Sequence, residues 1–139
     1  MPFLCVPKSA ASIKLPLYLS PIRAGFPSPA DDYIEKQLDL NDHLIKHPAA
    51  TFILKATGNS MINAGIFPGD LLIVDRSLEA VNNKIVVAVL NGEFTVKRLR
   101  KRQGRITLLA ENPNFPPIEI PDEADFEIWG VVAHVLHTV

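Results

Sequence analysis

A mainly β fold, small and antiparallel, is what this sequence predicts from Pro48 onward. Three observations carry that expectation. The stretches 51–56, 70–75, 84–90, 93–99, 105–110 and 126–136 are short and rich in β-branched and apolar residues. Asn91-Gly92 stands between two of them, and this dipeptide is a strong hairpin signal because both residues tolerate positive φ. Pro68-Gly69 and Asn112-Pro113 mark further turns.

Taken in order, residues 1–29 read as an extended N-terminal arm. Pro7, Pro16, Pro21 and Pro27 interrupt any helix there and bias the backbone toward extended conformations. The same prolines, and the late first charge at Lys8, argue against a targeting peptide. Residues 30–139 form the domain proper. Its first part, 30–47, predicts a short helical segment: Tyr33, Ile34 and Leu38 are spaced for one face, and Asn41 is placed to cap a turn carrying Leu44 and Ile45. Pro48 ends it, and the strands follow. There is no internal repeat and no low-complexity tract.

The composition narrows the function classes. A chain of 139 residues, 47% hydrophobic, is long enough for one real core and too short for two ordinary domains. A net charge of −1 points to no polyanionic partner. The single cysteine, Cys5, excludes an internal disulfide and fits a reducing, cytoplasmic setting; it is assigned no role. No window approaches the ~20 apolar residues of a membrane-spanning helix.

The usual bases come first among the chemical candidates. His43 and His47 have i, i+4 spacing, a metal-ligand pattern, but no acid or cysteine nearby completes a set, so no metal is expected. His134 and His137 fall at odd spacing in the last strand and face opposite sides. No Gly-rich phosphate loop is present, so no cofactor is expected. The basic run KRLRKRQGR, 97–105, reads either as a solvated hairpin end or as a patch for a polyanion or partner. Within it Lys97 stands apart, because strand alternation puts it on the same side as Thr95 and Leu99. Burial beside apolar neighbours disfavours an ammonium, and a neutral lysine can serve a serine as general base without any histidine. Ser60, in GNSM, is the serine such a lysine would serve; both residues are equally ordinary in a turn and a strand.

Two longer patterns decide between these readings. GNSMINAGIFPGD, 58–70, is followed downstream by EFTVK, 93–97, and the chain closes with FEIWGVVAHVLH, 126–137. In this order they resemble the UmuD branch of the LexA-like self-cleaving Ser-Lys peptidases, and the likeness covers almost the whole chain. The resemblance implies a LexA/UmuD-like β domain in which Ser60 is the nucleophile and Lys97 the neutral base. It implies a scissile bond between Ala24 and Gly25, in IRAGFP, and an oxyanion held by the backbone N–H groups of Asn59 and Ser60. The residues around that bond suit the role. Ala24 offers a small side chain, Gly25 allows close backbone approach, and Ile22 is an apolar anchor. Asn59 stands where UmuD commonly has Asp, which matters little for a backbone role. Ala24 stands where UmuD can have Cys, and Ala-Gly is the bond of LexA-like repressors.

The resemblance also implies partners: a homodimer, a RecA filament on single-stranded DNA that stimulates cleavage in the SOS response, and a UmuC-type translesion polymerase that the cleaved form joins. A membrane-anchored signal peptidase is not expected for want of an anchor. A repressor is not expected either, because the 24 residues ahead of Gly25 are too few for a helix-turn-helix core, so no direct sequence-specific DNA binding is expected. The alternative from another class is an inert β domain that binds replication proteins through its arm and basic hairpin. Residues 1–24 carry Lys8, Lys14 and Arg23 and no acid, a charge of +3; without them the chain's −1 becomes −4. Cleavage is therefore expected to leave a more acidic body for its next partner.

Overall fold

Strands form where the sequence strings β-branched residues between turn formers. The computed structural model describes residues 12–18, 22, 24–25 and 34–139, and these fall into two units, Met1–Lys46 and His47–Val139. Cys5, Pro7, Lys8, Pro21, Arg23, Pro27 and Tyr33 lie outside the described residues.

In the first unit, β1 (Lys14–Tyr18) pairs antiparallel with β2 (Ile34–Asp39), with Lys14 opposite Asp39 and Leu15 opposite Leu38. The expected helix over 30–47 is thus only partly present. Residues 34–39 find a strand partner, and pairing overrides a weak local preference. The helix α1 is confined to Leu40–Leu44. Its cap is Asp39, whose carboxylate accepts the Asn41 N–H at 2.9 Å, so the cap falls two residues before the expected Asn41.

The second unit is a seven-stranded sheet in the order β3-β4-β9-β5-β6-β7-β8, with every pairing antiparallel. Its strands are β3 (Thr51–Lys55), β4 (Leu71–Asp75), β5 (Ile85–Leu90), β6 (Glu93–Arg102), β7 (Arg105–Leu109), β8 (Ile118–Ile120) and β9 (Phe126–Leu136). The mainly β, antiparallel class expected from the sequence is the class observed. Asn91 and Gly92 sit at φ 51 and 81, the left-handed pair that a two-residue hairpin needs to match strand twist. The run 97–105 ends in an exposed hairpin, one of its two readings: β6 continues to Arg102 and turns at Gln103-Gly104, with φ 51 and 76, into β7 at Arg105. One element differs. β8 lacks a sequence signal, since Pro117 and Pro121 leave it only Ile118–Ile120.

Alternation along β5 builds a core on each face of the sheet. Val86 lies opposite both Lys97 of β6 and Val131 of β9, and it packs with Ala88, Leu99 and Leu108. Val87 points the other way and joins Leu72, Val74, Ala56, Met61 and Ile66. By this register Lys97 shares a strand face with Val86 and Leu99.

Gly130 is required by packing. Pairing registers shift on both flanks of β9, and a Cβ at residue 130 would stand 2.6 Å from Val74 Cγ1 and 3.2 Å from Arg76 Cγ. Val74 is fully buried and cannot yield. Gly130→Ala is expected to destabilise this unit by about 1–3 kcal/mol through overpacking. Urea unfolding measures the loss, and a change below about 0.5 kcal/mol would contradict this packing.

Candidate active site

Ser60 belongs to the turn that leaves β3. Gly58 sits at φ 78, a left-handed conformation that a side chain would strain. Met61, 2% exposed, anchors the turn in the core, and its carbonyl accepts the N–H groups of Ala64 at 3.0 Å and Ile66 at 3.2 Å. The β7–β8 connection clamps the turn from the other side. Glu111 donates its N–H to the Ser60 carbonyl at 2.8 Å, and Asn112 Nδ2 donates to the Asn59 carbonyl at 2.9 Å. Glu111 is itself held by the Arg98 guanidinium, which also donates to the Asn83 carbonyl at 2.7 Å. The serine is therefore set on a braced loop, which favours a fixed Oγ position.

Lys97 is 8% exposed, and its Nζ lies 3.1 Å from Ser60 Oγ. Nζ also lies 2.8 Å from Thr95 Oγ1 and 3.2 Å from the Val96 carbonyl. Among the described residues no carboxylate pairs with it. Burial without a counter-charge pushes the lysine pKa down from its ordinary value, because desolvation penalises the ammonium. Once neutral, the amine can give its two N–H bonds to Thr95 Oγ1 and the Val96 carbonyl. Its lone pair is then left for the Ser60 hydroxyl proton. Ser60 and Lys97 line two clefts of about 170 and 260 Å³. One is walled by Leu54, Ala56, Leu72 and Phe94, the other by Gly58, Asn59, Phe115 and Ile118. An extended chain laid past Ser60 would have apolar walls on both sides of the serine.

The other residues singled out in the sequence separate clearly. Ala24 and Gly25 belong to the first unit, where both are exposed in a bend, and Ile22 is 93% exposed. His43 is exposed in α1. His47 Nδ1 meets Asp75 Oδ2 at 2.6 Å, and His137 Nδ1 meets Asp70 Oδ1 at 2.6 Å. Both aspartates are buried, and both have pKa values below the ordinary carboxylate range. For Asp70 the Phe67 N–H and His137 lower it; for Asp75 burial opposes, and bonds from Ser77 and His47 outweigh it. A depressed carboxylate contributes stability that is present above its unfolded pKa and lost as pH falls. These histidines thus have structural partners. Sequence reasoning passed over two residues beside the serine and lysine. Thr95 was legible by alternation as a same-face neighbour of Lys97, and Asn112 was read only as a turn.

A family model described as Peptidase S24-like matches residues 16–133. The chain is 49% identical to Protein MucA of Salmonella typhimurium over 123 residues, 88% of this chain and 84% of that one. It is 45% identical to Protein ImpA of Shigella flexneri over 139 residues, 94% of this chain and 89% of that one. A LexA repressor from Bordetella parapertussis is 41% identical over 92% of this chain, which spans 58% of that longer protein.

Proposed function

We propose that this chain, which belongs to the peptidase S24-like family, cuts its own N-terminal segment at Ala24–Gly25 with Ser60 as nucleophile and Lys97 as base. The family is one of self-cleaving serine peptidases. The observation that carries the assignment is the 3.1 Å approach of Lys97 Nζ to Ser60 Oγ by a buried lysine that has no counter-charge among the described residues.

Neutral Lys97 takes the hydroxyl proton as Ser60 Oγ attacks the carbonyl carbon of Ala24. The negative charge on that carbonyl oxygen is met by the N–H groups of Asn59 and Ser60, backbone donors on the turn that carries the serine. Collapse breaks the Ala24–Gly25 bond, and the Lys97 ammonium gives its proton to the departing Gly25 amine. Ala24 is left as an ester of Ser60. Neutral again, Lys97 activates a water, and hydrolysis frees residues 1–24 and restores the serine. Thr95 supports the lysine through the bond to Nζ, which orients the lone pair.

The biological setting is part of the same proposal. The chain acts in the SOS response as a cytoplasmic homodimer, a RecA–single-stranded DNA filament promotes cleavage, and the cleaved form serves a UmuC-type translesion polymerase as accessory subunit. Support comes from the identity to MucA and ImpA along most of their lengths and from the LexA match. The test is incubation of the purified chain at alkaline pH with mass spectrometry of the products. A fragment beginning at Gly25 is expected. An intact chain after prolonged incubation, with or without the filament, would overturn the reading.

A further inference from the structure

We propose that Asn112 is a positioning residue that sets the direction of the Ser60 N–H by holding the peptide between Asn59 and Ser60. The inference rests on the self-cleavage reading and adds to it a residue outside the serine–lysine pair. A trans peptide is planar, with its C=O and N–H pointing in opposite directions. Whatever fixes the Asn59 carbonyl therefore also aims the Ser60 N–H. Asn112 Nδ2 donates to that carbonyl at 2.9 Å, whereas the nearest backbone donor, the Ile62 N–H, stands at 3.4 Å. The following peptide is pinned separately, by the Glu111 N–H on the Ser60 carbonyl at 2.8 Å.

Asn112 is well placed to impose this direction because its own amide cannot turn. Its Oδ1 accepts the Asn114 N–H at 3.0 Å, its carbonyl accepts the Phe115 N–H at 3.1 Å, and the residue is 9% exposed. With Oδ1 committed to a donor, the NH₂ end must face Asn59. A turn alone does not need that end, since an aspartate accepts from the residue two positions on as well as an asparagine does. The donor toward Asn59 is the part that a turn leaves unexplained. Without it, only the longer Ile62 bond holds the Asn59 carbonyl, and the 59–60 peptide can turn so that its carbonyl takes the place of the N–H beside the reacting oxygen.

The experiment follows the first-order release of the Gly25 fragment from the full chain across the alkaline range. The parent is compared with Asn112→Asp and Asn112→Ser. Aspartate keeps the turn acceptor and the shape but sets an acceptor against the Asn59 carbonyl. Serine keeps a turn acceptor and is too short to reach Asn59. Rates are compared on the plateau, where Lys97 is neutral in every variant, so any influence of the new carboxylate on the lysine does not enter. Loss of one oxyanion donor lowers rates by about 10²–10³-fold, and a donor that is misdirected part of the time is expected to cost roughly 10–100-fold. Both variants are expected to show that plateau loss while their urea midpoints indicate a folded domain. Plateau rates within about twofold of the parent in a folded variant would overturn the role of Asn112 and leave self-cleavage standing. If Asn112→Asp does not fold, Asn112→Ser is read in its place. If neither folds, Asn112 is structural and the proposal is overturned. A parent that releases no fragment removes both the self-cleavage reading and the role.

Discussion

Ser60→Ala and Lys97→Ala are each expected to abolish release of the Gly25 fragment, by at least about 10⁴-fold, and the double variant is expected to be no worse than either one. In the proposed mechanism the hydroxyl and the amine, 3.1 Å apart, act as one unit, so removing either leaves the other without a task. Ser60→Cys retains a competent nucleophile and is expected to keep partial activity. Lys97→Met gives a second readout that does not depend on cleavage. A base whose folded pKa lies below its unfolded value binds fewer protons when folded, so the stability of the parent rises with pH through the interval between the two values. The methionine variant lacks this rise. Its stability relative to the parent should therefore be most favourable below the folded pKa of the lysine and decline as the pH rises from there toward the ordinary lysine value of ~10.4. Cleavage at the same bond by Lys97→Ala would remove the lysine from its role as base.

Gly25→Val and Ala24→Trp are expected to lower processing by at least about 100-fold without changing the stability of the sheet domain. The scissile carbonyl must lie within reach of Ser60 Oγ, and a displacement of about 1 Å is enough for a loss of that size. A β-branched residue in place of Gly25 stiffens the leaving side, and an indole in place of Ala24 puts a large side chain next to the carbonyl that Ser60 has to reach. Both residues are exposed in a bend, and the position of a Gly25 Cβ is open, so neither change strains its own surroundings. Equal rates for parent and variants would move the scissile bond elsewhere in the chain while leaving the roles of Ser60 and Lys97 intact.

Most of the sheet was legible because its signals are local. The β-branched runs and the Asn91-Gly92 turn need no partner to be recognised, and the alternation in EFTVKRL placed Lys97 beside Leu99 before any pairing was known. What was missed depends on partners distant in sequence. Residues 34–39 became strand through pairing with 14–18, a contact that nothing local in IEKQLD announces. β8 is a three-residue strand between prolines, too short for alternation to register. The serine–lysine pair itself was only one option among residue types; the order of the GNSM and EFTVK motifs singled it out. Its supports divide in the same way. Thr95 shares a strand face with Lys97, as alternation along EFTVK already shows, though alternation does not reveal the bond between them. Asn112 reaches Asn59 across 53 positions, which only the folded chain reveals.

The pH–rate profile tests the central claim, that Lys97 takes the proton from Ser60, most directly. Only the neutral amine accepts a proton, so the rate must follow the neutral fraction of the base. Burial lowers the Lys97 pKa, which places the rise below that of an exposed lysine. An activator that seats the cleavage segment over the site and excludes water should move the midpoint further down, raising the rate at neutral pH far more than at alkaline pH. A histidine base would instead reach its plateau near pH ~7, from an unperturbed pKa of ~6.5. The measurement is the first-order release of the Gly25 fragment as a function of pH, with and without a RecA filament, repeated for His43→Ala, His47→Ala, His134→Ala and His137→Ala. The account predicts an alkaline rise that levels off and is retained in all four histidine variants. A plateau already reached at neutral pH without activator, or loss of cleavage in a folded histidine variant, would contradict it.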